Sequence, residues 1–303
     1  MKPRRSILSV PGHRAKMHQK ASLSKADVIM LDLEDSVPWS EKAAARRQVS
    51  HSLTSLDWGN RTVTVRINST DTPFAYRDII DVVGTAGAAI DSLVLPKTDH
   101  PGDIHFVSRL LDGLEQEQGL TPPIGIEAII ESAPGLSRVR AVARASRRLR
   151  SLVFGIADYS ASIGARLVSI SGHGEDESIY AGHRWHFAMS RLVMAAKANN
   201  LLAIDAPYGN FKDPRGLEAS AAMSCALGFD GKWAIHPSQI DTINQTYAPS
   251  PAEIERARQV MAAFEEARQN GQGAAALKGR MIDQATYRLA RQMVSSARFL
   301  DIC

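Results

Sequence analysis

The chain has 303 residues, 44% of them hydrophobic, with 36 Lys and Arg against 32 Asp and Glu, which is enough length and apolar content for one large barrel or two ordinary domains. Its net charge of +4 is too small to imply nucleic-acid binding and points to a small anion rather than a polymer. The two cysteines, Cys225 and Cys303, exclude a disulfide framework and a metal knuckle, and favour a reducing, cytoplasmic setting.

The N-terminal MKPRRSILSVPG starts basic, but its apolar run stops at Pro11-Gly12, too short for the core of a signal peptide. No stretch approaches the roughly 18 apolar residues that a membrane helix needs, so no membrane partner is expected. Eight strand-like runs follow in order: Ser6 to Val10, Val28 to Leu33, Thr62 to Ile67, Ser92 to Leu95, Ile124 to Ile130, Ser151 to Ile156, Leu201 to Ile204 and Trp233 to Ile235. Helical patterns separate them, at Ser40 to Leu56, Phe74 to Val83, Asp103 to Gln118, Gly135 to Ala145, His183 to Asn199 and Pro214 to Leu227. Short apolar runs alternating with helices read as buried parallel strands, and eight such units predict an α/β fold of the closed TIM (β/α)8 type.

After Ile235 the pattern changes. Pro249-Ser250-Pro251 opens a capped, charged amphipathic helix with no strand expected after it. Gln269 to Gly273 reads as a hinge, and KGRMIDQATYRLARQMV as a last helix whose start carries Asp283. The expected division is a barrel over 1–248 and a helical extension over 249–303, able to fold over a barrel mouth, its own or a neighbour's. The polar, patternless stretch Ser169 to Gly182 suits a loop at the same mouth.

Acidic and basic residues cluster at the downstream ends of these runs: Glu34 and Asp35, Arg66 and Asn68, Lys97, Glu131, Asp158, Asp205 and His236. In such a barrel the C-terminal mouth is the active-site end. Glu131 and Asp158 end neighbouring runs, where two carboxylates either share a hard cation such as Mg2+, leaving its other positions to water and substrate, or pair with Lys97 and cap helices. Arg66 either grips a carboxylate through two parallel hydrogen bonds or pairs with Glu34 or Asp35, and Lys97 reads as a structural ion pair nearby. Arg4, Arg5, Arg14, Lys16 and Lys20 surround the first run and its turn, as a polyphosphate site or as a solvated face. The arginines from Arg138 to Arg150 read as an exposed helix face and turn at the bottom of the barrel. His183 and His186 lack a third ligand at zinc spacing. GxGxxG after a strand, a P-loop and GxSxG are all absent.

The ordered motifs RSILSVPG, ADVIMLDLEDSVP with Lys42 and Arg46-Arg47 behind it, TVRIN, LPK, IIESAPG, FGIADYSASIG, GKWAIHPSQI and KGRMID span nearly the whole chain. Together they resemble the citrate lyase beta subunit and malyl-CoA lyase family of the HpcH-HpaI aldolase superfamily. LDWGN, RINSTDTPFAYRDIIDVV, RWHFAMSRLV and APYGNFKD look most like its L-malyl-CoA/beta-methylmalyl-CoA lyase branch. The resemblance implies a Mg2+ ion, with Mn2+ as a substitute, a CoA thioester substrate, and a homotrimer or hexamer. It also implies that Glu131 and Asp158 are the metal ligands and that Arg66 holds the oxo-acid carboxylate. By the same resemblance Arg14, Lys20, Ala157, Ile235 and His236 line the CoA and thioester site, and Asp283 is the acid that one subunit's C-terminal segment places over another's site. Two departures fall at the acyl pocket: Ser9 stands where close members carry an aromatic residue, and the loop Ser169 to Gly182 is shorter than theirs. The implied reaction is reversible retro-Claisen cleavage of L-malyl-CoA or its methyl homologue into glyoxylate and acetyl-CoA or propionyl-CoA. Alternatives are a malyl-CoA or citramalyl-CoA thioesterase, a malate synthase-like activity, or the citrate lyase subunit acting on a carrier protein. A barrel used only as a binding or regulatory module is the remaining reading.

Overall fold

The computed structural model of the protein describes residues 2–165 and 184–302. The stretch Ser169 to Gly182 and His183, with the expected start of the helix there, lie outside the described residues. Two compact units divide the chain, Met1–Ile243 and Asn244–Cys303.

In the first unit, eight parallel strands close into a barrel in sequence order: β1 (Ser6–Pro11), β2 (Val28–Asp32), β3 (Thr62–Arg66), β4 (Ser92–Leu95), β5 (Gly125–Ile130), β6 (Leu149–Phe154), β7 (Leu202–Asp205) and β8 (Gly231–Ala234). Around them run α1 (Ala15–Ser22), α2 (Lys42–Ser55), α3 (Ala75–Ala86), α4 (Pro101–Gln118), α5 (Ala133–Val142), the short α6 (Ile156–Ser162), α7 (His186–Lys197) and α8 (Pro214–Leu227). The expected (β/α)8 barrel is therefore present, with α1 added where periodicity had shown only a turn. Strands buried on both faces are apolar nearly throughout, which is why they read as continuous runs.

Period-two alternation puts every second side chain inside the barrel. Ile7, Val28, Met30, Val94, Ile129, Val153, Ile204 and Trp233 pack there as one cluster. Asp32, Arg66, Val94, Glu127, Ser151 and Leu202 are successive partners across β2 to β7, so they share that inward face. Because the strands tilt, this row starts at the C-terminal end of β2 and β3 and descends to the N-terminal part of β6 and β7. At its lower end Glu127, 4% exposed, is ion-paired with Arg4 and accepts hydrogen bonds from Ser92 and from Ser151 at 2.8 Å. On the outer face, Lys232 Nζ and Asp205 Oδ2 lie 2.6 Å apart at 2% and 1% side-chain exposure.

The arginine-rich stretch departs from the expected exposed face at Arg148. Its guanidinium forks onto Glu115 and Asp112 at 2.6 to 2.7 Å and onto the Ile124 carbonyl at 3.0 Å, binding α4 to the start of β6. A planar fork with two carboxylates in reach can be buried at little cost. Arg4 and Arg5 also leave the expected basic group, because they point to Glu127 and Asp27 at the N-terminal end of the barrel.

In the second unit α10 (Pro251–Gln269) and α11 (Gln284–Phe299) pack through Ala257, Ala290 and Val294, after a short α9 (Ile240–Thr246) that straddles the division. Ser250 and Glu253 form the expected capping box. Asp283 stands at the start of the last helix as expected, but residues 278–282 before it belong to a hairpin, β9 (Ala275–Leu277) against β10 (Arg280–Ile282). Lys278 and Gly279 at its tip both have positive φ, 49° and 75°, the geometry of a two-residue turn that the strand twist selects. No helix among the described residues is long and apolar enough to cross a membrane.

Replacing Lys232 with Met removes the buried ammonium that lies 2.6 Å from Asp205 Oδ2. Denaturant unfolding is expected to show a loss of about 3–5 kcal/mol, the usual cost of breaking a buried ion pair from one side.

Candidate functional site at the C-terminal mouth

The ends of β2, β3, β4 and β5 and the first turn of α6 bring the charged residues together. β3 ends on Arg66, 8% exposed, whose Nε and Nη2 donate to Asp32 Oδ1 and Oδ2, both at 2.7 Å. The expected partners lie on the other side: Arg66 Nη1 is 2.8 Å from Glu34 Oε2 and 3.7 Å from Asp35. The guanidinium also lies over the Trp233 ring, 5.5 Å from its centroid. Burial alone would raise the Asp32 pKa, but the charge and hydrogen bonds of Arg66 hold it below the ordinary carboxylate range.

Glu34 is tied to Lys97 as well, whose ammonium is also 3.8 Å from Asp35 and 3.9 Å from Asp158. Burial raises the Glu34 pKa, with Arg66 opposing it. Lys97, despite partial burial, is held protonated by its hydrogen bond to Glu34 and that carboxylate's charge. Its backbone is left-handed, φ 49°, a conformation that a residue with a side chain adopts only under constraint. In that turn the Lys97 amide donates to Glu131 Oε1 at 2.6 Å.

Glu131 follows β5 and is 6% exposed. Burial, then repulsion from Glu34 and Asp158, pushes its pKa up to about 8. Ile130 pairs with Phe154, so Gly155 stands beside Glu131, and a Cβ at Gly155 would overlap Glu131 Cβ and Oε2. Asp158 is not on a strand end. β6 stops at Phe154, and Asp158 sits in the first turn of α6, where the free N–H groups of a helix start favour a carboxylate.

Five carboxylates, Asp32, Glu34, Asp35, Glu131 and Asp158, thus meet Arg66 and Lys97 at one mouth. Behind them Lys42 donates to the carbonyls of Leu33 and Glu34 at 2.7 Å. Glu34 Oε2 is buried and, although ion-paired, accepts no hydrogen bond. The excess of carboxylates over cations at the mouth, with Glu131 among the buried ones, fits a divalent cation. Among the described residues no three His, Cys, Asp or Glu side chains converge as ligands; two carboxylates such as Glu131 and Asp158 could hold an ion whose other oxygens come from water and substrate, the usual habit of Mg2+.

Around the rim, the segments after β8, β1 and β2 are neighbours. They carry Ile235 and His236, then Arg14 and Lys20 on and before α1, then Glu34. Arg14, Lys20, Ile235, His236 and Ala157 are exposed, and Ser9 is half-buried on the inward row of β1. His236 accepts from Ser238 N at 3.2 Å and stacks on Phe211 with ring centroids 4.9 Å apart. Asp283 belongs to the other unit, as the N-cap of α11, where Oδ1 accepts from the Thr286 amide and hydroxyl at 2.9 Å. Those bonds hold its pKa down. A concavity of about 740 Å³ at the opposite end of the barrel is lined in part by Lys2 and Arg4, already paired with Asp91 and Glu127.

Sequence reasoning missed Asp32 and Gly155. The first is the inward position two after Met30, and the second is level with Glu131; both follow from strand period and register once pairing is known.

The HpcH/HpaI aldolase/citrate lyase family model matches residues 5–237. An L-malyl-CoA/beta-methylmalyl-CoA lyase of Cereibacter sphaeroides is 39% identical over 305 residues, covering 99% of this chain and 96% of its own. A (3S)-malyl-CoA thioesterase of the same species is 35% identical, over 97% of this chain and 95% of its own. The crystal structure of CitE from Mycobacterium tuberculosis in complex with magnesium, acetoacetate and coenzyme A matches with a TM-score of 0.79 and 29% identity, over 98% of both chains.

Two outcomes follow from the packing around Glu131. Gly155→Ala is expected to weaken Mg2+ binding at least about tenfold, 1.4 kcal/mol, with the circular dichroism spectrum of the barrel retained. In metal-free protein, the folded-state pKa of Glu131 at about 8 lies above its ordinary 4.5, so the native state binds the extra proton between those values and stability falls as pH rises through that window. Glu131→Gln is therefore expected to raise the metal-free melting temperature, by an amount that grows from pH 5 to pH 8. A pH-independent difference would reject this account of Glu131.

Proposed function

The chain belongs to the HpcH/HpaI aldolase/citrate lyase family, and from that premise we propose that it is a Mg2+-dependent carbon-carbon lyase. Its substrate is a 3-hydroxyacyl-CoA, L-malyl-CoA or beta-methylmalyl-CoA, cleaved reversibly to glyoxylate and acetyl-CoA or propionyl-CoA. The observation that carries this reading is the buried, destabilised Glu131 beside Asp158, in the same mouth as an oriented Arg66. The 39% identical relative names the substrate class.

Glu131 and Asp158 hold the metal in this proposal. When bound, Mg2+ would supply Lewis-acid stabilisation of negative charge on the hydroxyl oxygen of the substrate. Arg66 fixes the carboxylate of the oxo-acid half, so that the breaking bond is aligned with the thioester. The exposed Arg14 and Lys20, with Ser9, Ala157, Ile235 and His236 around the rim, receive the CoA moiety. In condensation ionised Asp283 takes the α proton of the acyl-CoA, the new bond forms to the carbonyl carbon of the oxo acid, and the carbonyl oxygen takes a proton from solvent, to which Asp283 later returns its own; cleavage reverses each transfer. The Asp283 cap bonds keep the carboxylate ionised at neutral pH, the form required to accept the α proton. In the homotrimer or hexamer proposed, Asp283 serves a neighbouring copy's mouth.

A second reading is a malyl-CoA thioesterase, favoured by the 35% identical relative of that name. Incubation with Mg2+ and L-malyl-CoA separates the two: equal glyoxylate and acetyl-CoA mark the lyase, and free CoA without glyoxylate marks the thioesterase.

Asp283→Asn keeps an N-cap of equal quality while removing the proton acceptor. Turnover is expected to fall at least about a thousandfold, 4 kcal/mol, with Mg2+ and CoA affinities within threefold of wild type; a matching loss of CoA affinity would reject the role. Mixing Arg66→Ala with Asp283→Ala subunits is expected to restore part of the activity, whereas mixed oligomers with none would place both residues' action within one chain.

A further inference from the structure

Asp32 is a fully buried carboxylate at the inward tip of β2, and it touches more of the mouth than any role above assigns to it. Its two oxygens accept both Nε and Nη2 of Arg66 at 2.7 Å. Oδ1 also accepts the Glu34 amide at 2.9 Å, closing a turn two residues on. Oδ2 accepts the Ser36 hydroxyl at 2.5 Å and the Ser36 amide at 3.2 Å. One side chain therefore fixes the guanidinium plane of Arg66 and the backbone that carries Glu34.

A guanidinium can meet a carboxylate in parallel along its Nε/Nη2 edge or along its Nη1/Nη2 edge. The first edge is taken by Asp32. The Trp233 ring lies against the guanidinium, and Nη1 is 2.8 Å from Glu34 Oε2, which accepts no hydrogen bond, so the Nη1/Nη2 edge is the one with hydrogens still to give. We infer that Asp32 is a positioning residue that commits Arg66 to receive the substrate carboxylate end-on, through Nη1 and the second Nη2 hydrogen, and so sets affinity and selectivity for the oxo acid. That Arg66 receives a substrate carboxylate, and that the acid is glyoxylate, both rest on the lyase reading above.

Loss of this support acts on one half of the reaction. With Asp32→Asn an amide group stands in place of one acceptor oxygen, the parallel bond pair is broken, and Arg66 can turn its Nε edge toward the mouth. The expected result, by calorimetry in the presence of Mg2+, is glyoxylate binding weakened about 10- to 100-fold. In condensation the KM for glyoxylate rises by a similar factor, while the KM for acetyl-CoA stays within threefold. The preference for glyoxylate over pyruvate, as the ratio of kcat/KM, is expected to shrink, a change that general loosening of the fold does not produce. Should Asp32→Asn fail to fold, Ser36→Ala removes one hydrogen bond to the same carboxylate and is expected to shift the glyoxylate constants alone, by two- to fivefold. Unchanged glyoxylate binding in both variants, or equal losses for glyoxylate and acetyl-CoA, would overturn the role of Asp32. Wild-type protein that binds glyoxylate but forms no malyl-CoA would instead overturn the lyase reading, with the binding comparison still deciding the inference.

Discussion

A guanidinium buried at the open end of a barrel has to be neutralised on the spot, and the pairing of Arg66 with Asp32 does this here. The two residues are partners across β2 and β3, so their side chains leave the sheet together on the inward face. With Asp32 held to two edge donors of Arg66, the turn at Glu34 is fixed by the same carboxylate. Glu34 then reaches Lys97, and the constrained turn at Lys97 directs its amide to Glu131. The mouth is a chain of charges in which each position depends on the one before.

Two glutamates on one strand show what separates structure from chemistry in this barrel. Glu127 and Glu131 are four residues apart on β5 and its end, so both face inward. Glu127 is surrounded by donors: Arg4, Ser92 and Ser151. Glu131 receives one backbone hydrogen bond among the described residues and faces the anions Glu34 and Asp158, whose repulsion the Lys97 ammonium opposes without keeping the pKa down. A buried carboxylate without its own cation is costly, and such groups concentrate where a ligand completes the charge balance. The four-residue rise along β5 puts the satisfied glutamate toward the N-terminal end of the barrel and the unsatisfied one at the mouth.

The backbone on either side of the site is held to match. Lys42 grips the carbonyls of Leu33 and Glu34, and Asn68 donates to Leu33 O at 3.0 Å and to Asp78 at 2.6 Å. Arg46 in turn pairs with Asp78 at 3.1 Å. These buried polar residues anchor the tip of β2 from α2 and α3, so the carboxylates that repel one another at the mouth are attached to a frame that cannot relax away from the strain. Gly155 plays the complementary part by leaving the space that the Glu131 side chain occupies.

Periodicity determined the eight strands, the alternation with helices, the cap of the first tail helix and the strand ends that carry Arg66 and Glu131, because these depend on residues close in the chain. Tertiary structure decided which charges pair. Arg66 took Asp32 as well as the expected Glu34, Arg148 was drawn into a fork between Asp112 and Glu115, and Arg4 went to Glu127. Asp158 moved from a strand end to the first turn of α6, and residues 278–282 folded back in a hairpin. Each of these outcomes turns on register between strands, or on a turn's handedness, and a shift of one residue in either would send the same side chain to the opposite face.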